Sequence, residues 1–146
     1  MGIKTAEAIW HGGLKEGKGN ISTETGALNA AYSFSTRFED DKSGTNPEEL
    51  IGGALAGCFS MFLSSLLEKH GHNPKRIRTE AKVTLSKDDR GPLISKIELT
   101  TEATVDNIED ADFQKHVRDA KENCPVSRSL HSVPEMTVTA TLAGNE

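Results

Sequence analysis

Hydrophobic and polar positions fall into blocks of different period along the 146-residue chain. Residues 50–67, LIGGALAGCFSMFLSSLL, carry no charge, although 27% of all residues are charged. The block opens on NPEEL, in which Asn46 can cap, Pro47 suits a first helical position and Glu49 can reach back to close a capping box. It ends at His70 with Gly71 as a C-terminal stop, predicting a helix over residues 47–70, about 36 Å long. Apolar nearly all round, such a helix needs cover on every side, more than one small domain supplies. Gly53 and Gly57, four apart, would admit a second helix, and a homodimer with this helix at its centre is expected.

Period-2 alternation marks the strands. Residues 3–10 alternate weakly and lead into the glycine-rich turn HGGLKEGKG. In YSFSTRF, Tyr32, Phe34, Thr36 and Phe38 share one face, while Ser33, Ser35 and Arg37 share the other, predicting a strand. Residues 77–86 and 93–105 are amphipathic strands joined by the turn sequence KDDRGP. Residues 109–123 follow the helical period, with Phe113 and Val117 four apart; CPVSRSL begins a short helical turn and residues 136–142 close with a strand. No linker divides the chain, so we expect one α+β domain over residues 1–146.

Composition narrows the function. A net charge of −5 and a pI near 5.6 argue against nucleic acid or an anionic membrane as partner. Aromatic residues, at 5%, are too few for a base-stacking platform. The first residues lack the apolar run of a secretory signal, and Ala6 stands where a myristoylation signal needs Ser or Thr. The apolar block is long enough to be weighed as a membrane span, but Gly52, Gly53, Gly57, Ser60, Ser64 and Ser65 within it favour a core helix. Two cysteines do not make a disulfide scaffold, and a cytoplasmic location is expected.

Those two cysteines are the candidate chemistry. Cys124 directly precedes Pro125, which puts its thiol at the start of a helix, where the dipole favours a thiolate; a small buried hydrophobe reads equally well. Cys58 lies within the apolar block, where burial alone would leave a thiol inert, so a reactive Cys58 needs a cation from another segment. Arg37, oriented by Glu49, is the candidate source; taken singly, Arg37 reads as a solvated strand arginine and Glu49 as a capping residue. Glu49 and Cys58 lie nine residues apart on one helix, about half a turn out of phase, so either the arginine bridges the gap or the pair serves Cys58 of a second subunit. The second arrangement is preferred. His70 and His72, in KHGHNP, lack a metal-ligand spacing and read as a polar helix end. His131 has no assigned role, and the acidic runs FEDD and IEDAD read as solvated surface.

STRFED, SGTNPEELIGGALAGCFSMFLS and ENCPVSRSL together resemble the OsmC (osmotically inducible protein C) family, in register from about Ala8 to Leu142. The resemblance implies an intertwined α+β homodimer, antiparallel sheets wrapped around long central helices, and thiol peroxidase activity on organic hydroperoxides, more weakly on hydrogen peroxide, in oxidative and osmotic stress defence. It further implies Cys58 as the peroxidatic cysteine and Cys124 as the resolving one, closing a Cys58–Cys124 disulfide. Arg37 becomes the catalytic arginine and Glu49 the glutamate that holds it. The sister branch, named for organic hydroperoxide resistance, carries its arginine in the early turn; GGLKEG has none, which points to the OsmC branch. A dithiol reductant of the lipoyl type is implied, and neither a metal nor an organic cofactor is expected. Leu55 and Phe62, on the face of Cys58, fit an apolar substrate. The rival readings are a two-cysteine redox sensor without turnover, and a structural or lipid-binding domain with inert thiols.

Overall fold

The computed structural model describes residues 2–144, in two compact units, Met1–Leu50 and Ile51–Glu146. The first unit opens with a three-stranded antiparallel sheet of β1 (Ala6–His11), β2 (Lys18–Thr23) and β3 (Asn29–Tyr32), in sequence order. Gly19 lies under the rings of Trp10 and Tyr32, where a Cβ would collide with both. The sheet is followed by a short helix, α1 (Phe34–Phe38), and by the first turn of α2 (Pro47–Lys69).

Helix α1 corrects the strand expected over residues 32–38. Ser33 is extended, its Oγ accepts from the Thr36 backbone N–H, and the Thr36 hydroxyl oxygen accepts from the Ser33 N–H at 2.8 Å. SFST is therefore a reciprocal capping box, and the two satisfied backbone donors outweigh an alternation of only seven residues. Phe34 and Phe38, which share a strand face in the sequence reading, are instead helical i, i+4 neighbours with ring centroids 5.0 Å apart. Arg37 consequently stands on a helical turn.

The second unit is built on the remainder of α2 and on a sheet of β4 (Asn73–Asp88), β5 (Gly91–Asp106) and β6 (Glu135–Leu142), in that order. Helix α2 ends as anticipated: Gly71 takes φ +81°, and the His72 N–H donates to the Leu67 carbonyl at 2.9 Å, satisfying an otherwise orphaned acceptor. Strands β4 and β5 form a long antiparallel hairpin closed around Asp89 and Arg90. The expectation of wholly antiparallel sheets does not hold for β6, which pairs with β5 in parallel. A parallel neighbour needs a crossover connection, and α3 (Asp110–Asn123) with α4 (Pro125–Ser129) supplies it.

The core of this unit follows from three periodicities meeting. Leu55, Phe59, Leu63 and Leu67 mark one stripe of α2, Ile97, Leu99, Ala103 and Val105 one face of β5, and Phe113, Val117 and Ala120 one stripe of α3; all are buried together. Each large apolar side chain so enclosed contributes about 1.5–3 kcal/mol. Thr101, also on the buried face of β5, is satisfied by Thr79 at 2.9 Å and by the Arg78 carbonyl, and Thr79 in turn bonds Ser60 of α2. The opposite face of α2 is open: Gly53, Ala54, Gly57 and Met61 are exposed, Met61 to 77%.

Candidate functional site

Two sets of candidate residues take shape, one in each unit. In the first, Asn46 caps α2 by accepting from the Glu49 N–H at 2.7 Å, and its amide donates to the Thr36 carbonyl at 3.0 Å, tying α2 to the end of α1. The loop between the helices is fastened by Asp41, which accepts from the Ser35 hydroxyl at 2.6 Å and from the Ser43 N–H at 2.9 Å. Those bonds, the Ser35 hydroxyl first, lower the Asp41 pKa to about 2. Part of the FEDD run is thus a structural fastening of the segment that bears Arg37.

Arg37 is held, but not by the expected residue. Its Nε donates to Glu48, 2.8 Å from Oε1 and 3.3 Å from Oε2, and the Glu48 side chain is only 8% exposed. Glu49 turns elsewhere, accepting from the Thr45 hydroxyl at 2.9 Å. Adjacent helical side chains diverge by about 100°, so one of two consecutive glutamates can face the guanidinium. Here that residue is Glu48, and the assignment of this role to Glu49 is corrected. Phe38 lies beneath the guanidinium, Arg37 Cζ standing 5.2 Å from its ring centroid, while among the described residues the two Nη groups have no protein acceptor. They remain free for a ligand.

In the second unit, Cys58 and Cys124 are both free thiols of one apolar core, Cys124 within it and Cys58 packed against it. Cys58 is half-buried on α2, beside the core stripe containing Leu55. Phe62, one turn on, packs half-buried against the same core. Cys124 is fully buried at the junction of α3 and α4, with Pro125 opening α4 as the sequence predicts. Its sulfur accepts from the Ser127 N–H at 3.4 Å, which favours the anion, but burial outweighs that bond. Burial first, then the neighbouring Cys58, push the Cys124 pKa up to about 11. Of the two readings open for Cys124, a thiolate at a helix start and a small buried side chain, burial favours the second: reduced Cys124 is a neutral thiol at physiological pH.

Ser127 is a residue the sequence reading passed over. Its N–H serves Cys124, and its hydroxyl donates to the Lys121 carbonyl and contacts the Met136 sulfur at 3.5 Å, so it joins the end of α3, the thiol and β6. The signal was present as Cys-Pro-x-Ser, a residue at the N-cap position followed by a serine at N3. His131 is exposed and bonds the Arg128 carbonyl rather than Cys124. His70 and His72 each direct Nδ1 to a backbone carbonyl at 2.8 Å, and their rings approach His116 of α3, with centroids 4.6 and 6.1 Å away. Burial, followed by His70 and His72, lowers the His116 pKa.

The sequence profile described as "OsmC-like protein" matches residues 39–139. The chain is 50% identical over 128 residues to the Escherichia coli protein named peroxiredoxin OsmC, covering 87% of this chain and 89% of that one. It is 26% identical over 129 residues to the organic hydroperoxide resistance protein OhrB of Bacillus subtilis, covering 88% and 91% of the two chains. The crystal structure of OhrB superposes with a TM-score of 0.68 over 95% of this chain and 98% of that one, at 25% identity. An OsmC-like protein of unknown function from Vibrio cholerae reaches 0.77 at 18% identity, over 97% and 100% of the chains, and speaks to the fold alone.

Proposed function

The chain belongs to the OsmC-like protein family, and from that premise we propose that it is a thiol peroxidase that reduces organic hydroperoxides to alcohols. The observation that carries the reading is that two free thiols, Cys58 and Cys124, share one apolar core, Cys124 within it and Cys58 packed against it. In the proposed cycle the Cys58 thiolate attacks the distal peroxide oxygen and the O–O bond breaks. The alkoxide leaves and takes up a proton to become the alcohol, and Cys58 becomes a sulfenic acid. Cys124 then attacks the Cys58 sulfur; the S–S bond forms, and the departing hydroxide leaves as water with the thiol's proton. An external dithiol, of the lipoyl type in our reading, returns two electrons and two protons.

The chemistry assigns each group a task. Cys124, held neutral by burial and by Cys58, does not compete for the peroxide. The half-buried Cys58 meets the peroxide first and the enclosed Cys124 acts second, so the two sulfurs act in order. Arg37, with Nε fixed by Glu48 and Nη groups free, would stabilise both the attacking thiolate and the negative charge developing on the peroxide oxygens. Glu48 takes the orienting role in place of Glu49.

The open face of α2, with Gly53 and Gly57 beneath empty space and Met61 exposed, supports a homodimer in which the same face of a second copy covers it. In that assembly Arg37 serves Cys58 of the partner subunit. Mixing Arg37→Ala chains with Cys58→Ser chains then restores activity, and failure to restore it removes the shared-site proposal. The net charge of −5 supports the reading that neither nucleic acid nor membrane is a partner, and we place the protein in the cytoplasm.

Steady-state reduction of cumene and tert-butyl hydroperoxides, with dithiothreitol and then dihydrolipoamide as donor, tests the function. Repeated turnover is expected, faster than with hydrogen peroxide. A single stoichiometric oxidation without turnover would instead make the protein a thiol switch, and thiols that survive the peroxide would make both cysteines structural.

A further inference from the structure

Four of the chain's seven Phe, Tyr and Trp residues line one cleft in the first unit, about 220 Å³ in volume. The other three, Phe59, Phe62 and Phe113, pack in or against the core of the second unit. In the cleft, Trp10 of β1 and Tyr32 of β3 have ring centroids 5.2 Å apart at an interplanar angle of 57°, and Phe34 and Phe38 of α1 pair at 5.0 Å and 47°. Leu14 completes the apolar wall and Arg37 supplies the charged end. These side chains are not spent on folding alone: Leu14 is 62% exposed and Phe38 37%. Gly19, which cannot carry a Cβ without striking Trp10 and Tyr32, keeps that pair seated on the sheet.

We infer that this cleft is a specificity subsite for a single aromatic ring, accepting the arene of an aryl hydroperoxide while the Nη groups of Arg37 engage its peroxide oxygens. The inference rests on the peroxidase reading above and deepens it by naming the substrate class. Rings tilted toward one another offer both faces and edges, the geometry in which a further ring packs favourably. The volume lies below the roughly 300–1,000 Å³ typical of sites for drug-sized ligands, which suits one ring rather than a long chain. With Nε committed to Glu48 and one face of the guanidinium against Phe38, the Nη edge is the part of Arg37 left for an oxygen acceptor. An apolar wall ending in hydrogen-bond donors matches a molecule with a ring at one end and oxygens at the other.

Trp10 is the only tryptophan in the chain and lies in the cleft wall, so its emission reports occupancy without any turnover. Titration with 2-phenyl-2-propanol, the alcohol formed from cumene hydroperoxide, gives a saturable change in emission, with tert-butanol binding at least about tenfold more weakly. Phe34→Leu weakens the aryl alcohol about tenfold and lowers kcat/KM for cumene hydroperoxide about tenfold relative to that for tert-butyl hydroperoxide. Leu14→Ser, at an exposed position, repeats the test with the smaller risk to folding. Equal responses to the two alcohols, or equal losses on the two hydroperoxides, overturn the subsite. Aryl-alcohol binding without turnover on any hydroperoxide leaves the subsite standing and overturns the peroxidase reading instead.

Discussion

The α2 segment around Cys58 and the α3–α4 junction around Cys124 place the same functional group in one core and prepare it differently. Cys58 is half-buried, on a helix whose opposite face is open; Cys124 is fully enclosed, with one backbone donor from Ser127 and a pKa of about 11. In the proposed cycle, identical thiols thus become a reagent and a reserve. Exposure separates them more than local charge does, because the helix-start donor at Cys124 is outweighed by its burial.

The sharpest way to break the comparison is to delete each sulfur in turn. Cys58→Ser is expected to lower peroxidase turnover by at least about a thousandfold, close to the uncatalysed rate. Cys124→Ser should still consume one equivalent of hydroperoxide, leaving a sulfenic acid at Cys58 that a dimedone adduct reveals by mass spectrometry. Comparable residual turnover in the two variants would show that the roles are not divided.

Next in size is the arginine's support. Glu48→Gln should cost about 10–100-fold in kcat/KM, the range expected when a charge-assisted hydrogen bond is lost, whereas Glu49→Gln stays within about threefold. The reverse ranking would return the orienting role to Glu49. Burial sharpens the contrast between the sulfurs directly: brief iodoacetamide treatment at pH 7.5 should modify Cys58 and spare Cys124. Because the Cys124 pKa is raised in the folded state, its neutral form favours folding below about pH 9, and that contribution is lost as the pH climbs toward 11. In chemical denaturation between pH 8 and 11, Cys124→Ala should flatten this decline.

The smallest effect concerns His116. Its folded-state pKa is lowered, so the unfolded chain binds the proton more readily and stability falls as pH drops below about 6.5. Thermal melts at pH 5 and 7.5 should show this acid sensitivity, and His116→Gln should reduce it.

Much of the second unit was legible because its signals are local and repeated. The Gly71 stop, the hairpin around Asp89 and the Phe113–Val117 stripe each rest on neighbours within about five residues. The first unit was harder to read. In YSFSTRF the same letters satisfy a two-residue period and a capping box, and the bonds between Ser33 and Thr36 decide between them. Which of Glu48 and Glu49 meets Arg37 depends on the rotation of α2, which the sequence alone does not specify. The direction of β6 escaped for a related reason: alternation reveals which face is buried and nothing about which way the strand runs. The raised pKa of Cys124 arises from residues packed around it from several elements, so its proline neighbour could not foretell it.

The parallel seating of β6 has a bearing on the order of folding. Cys124 sits in the connection between β5 and β6, so both ends of its tether are anchored to β5 only once β6 has docked. In the proposed cycle, a chain on which β6 has not yet docked holds that tether at one end alone, so docking of β6 comes before the two sulfurs are held as a pair.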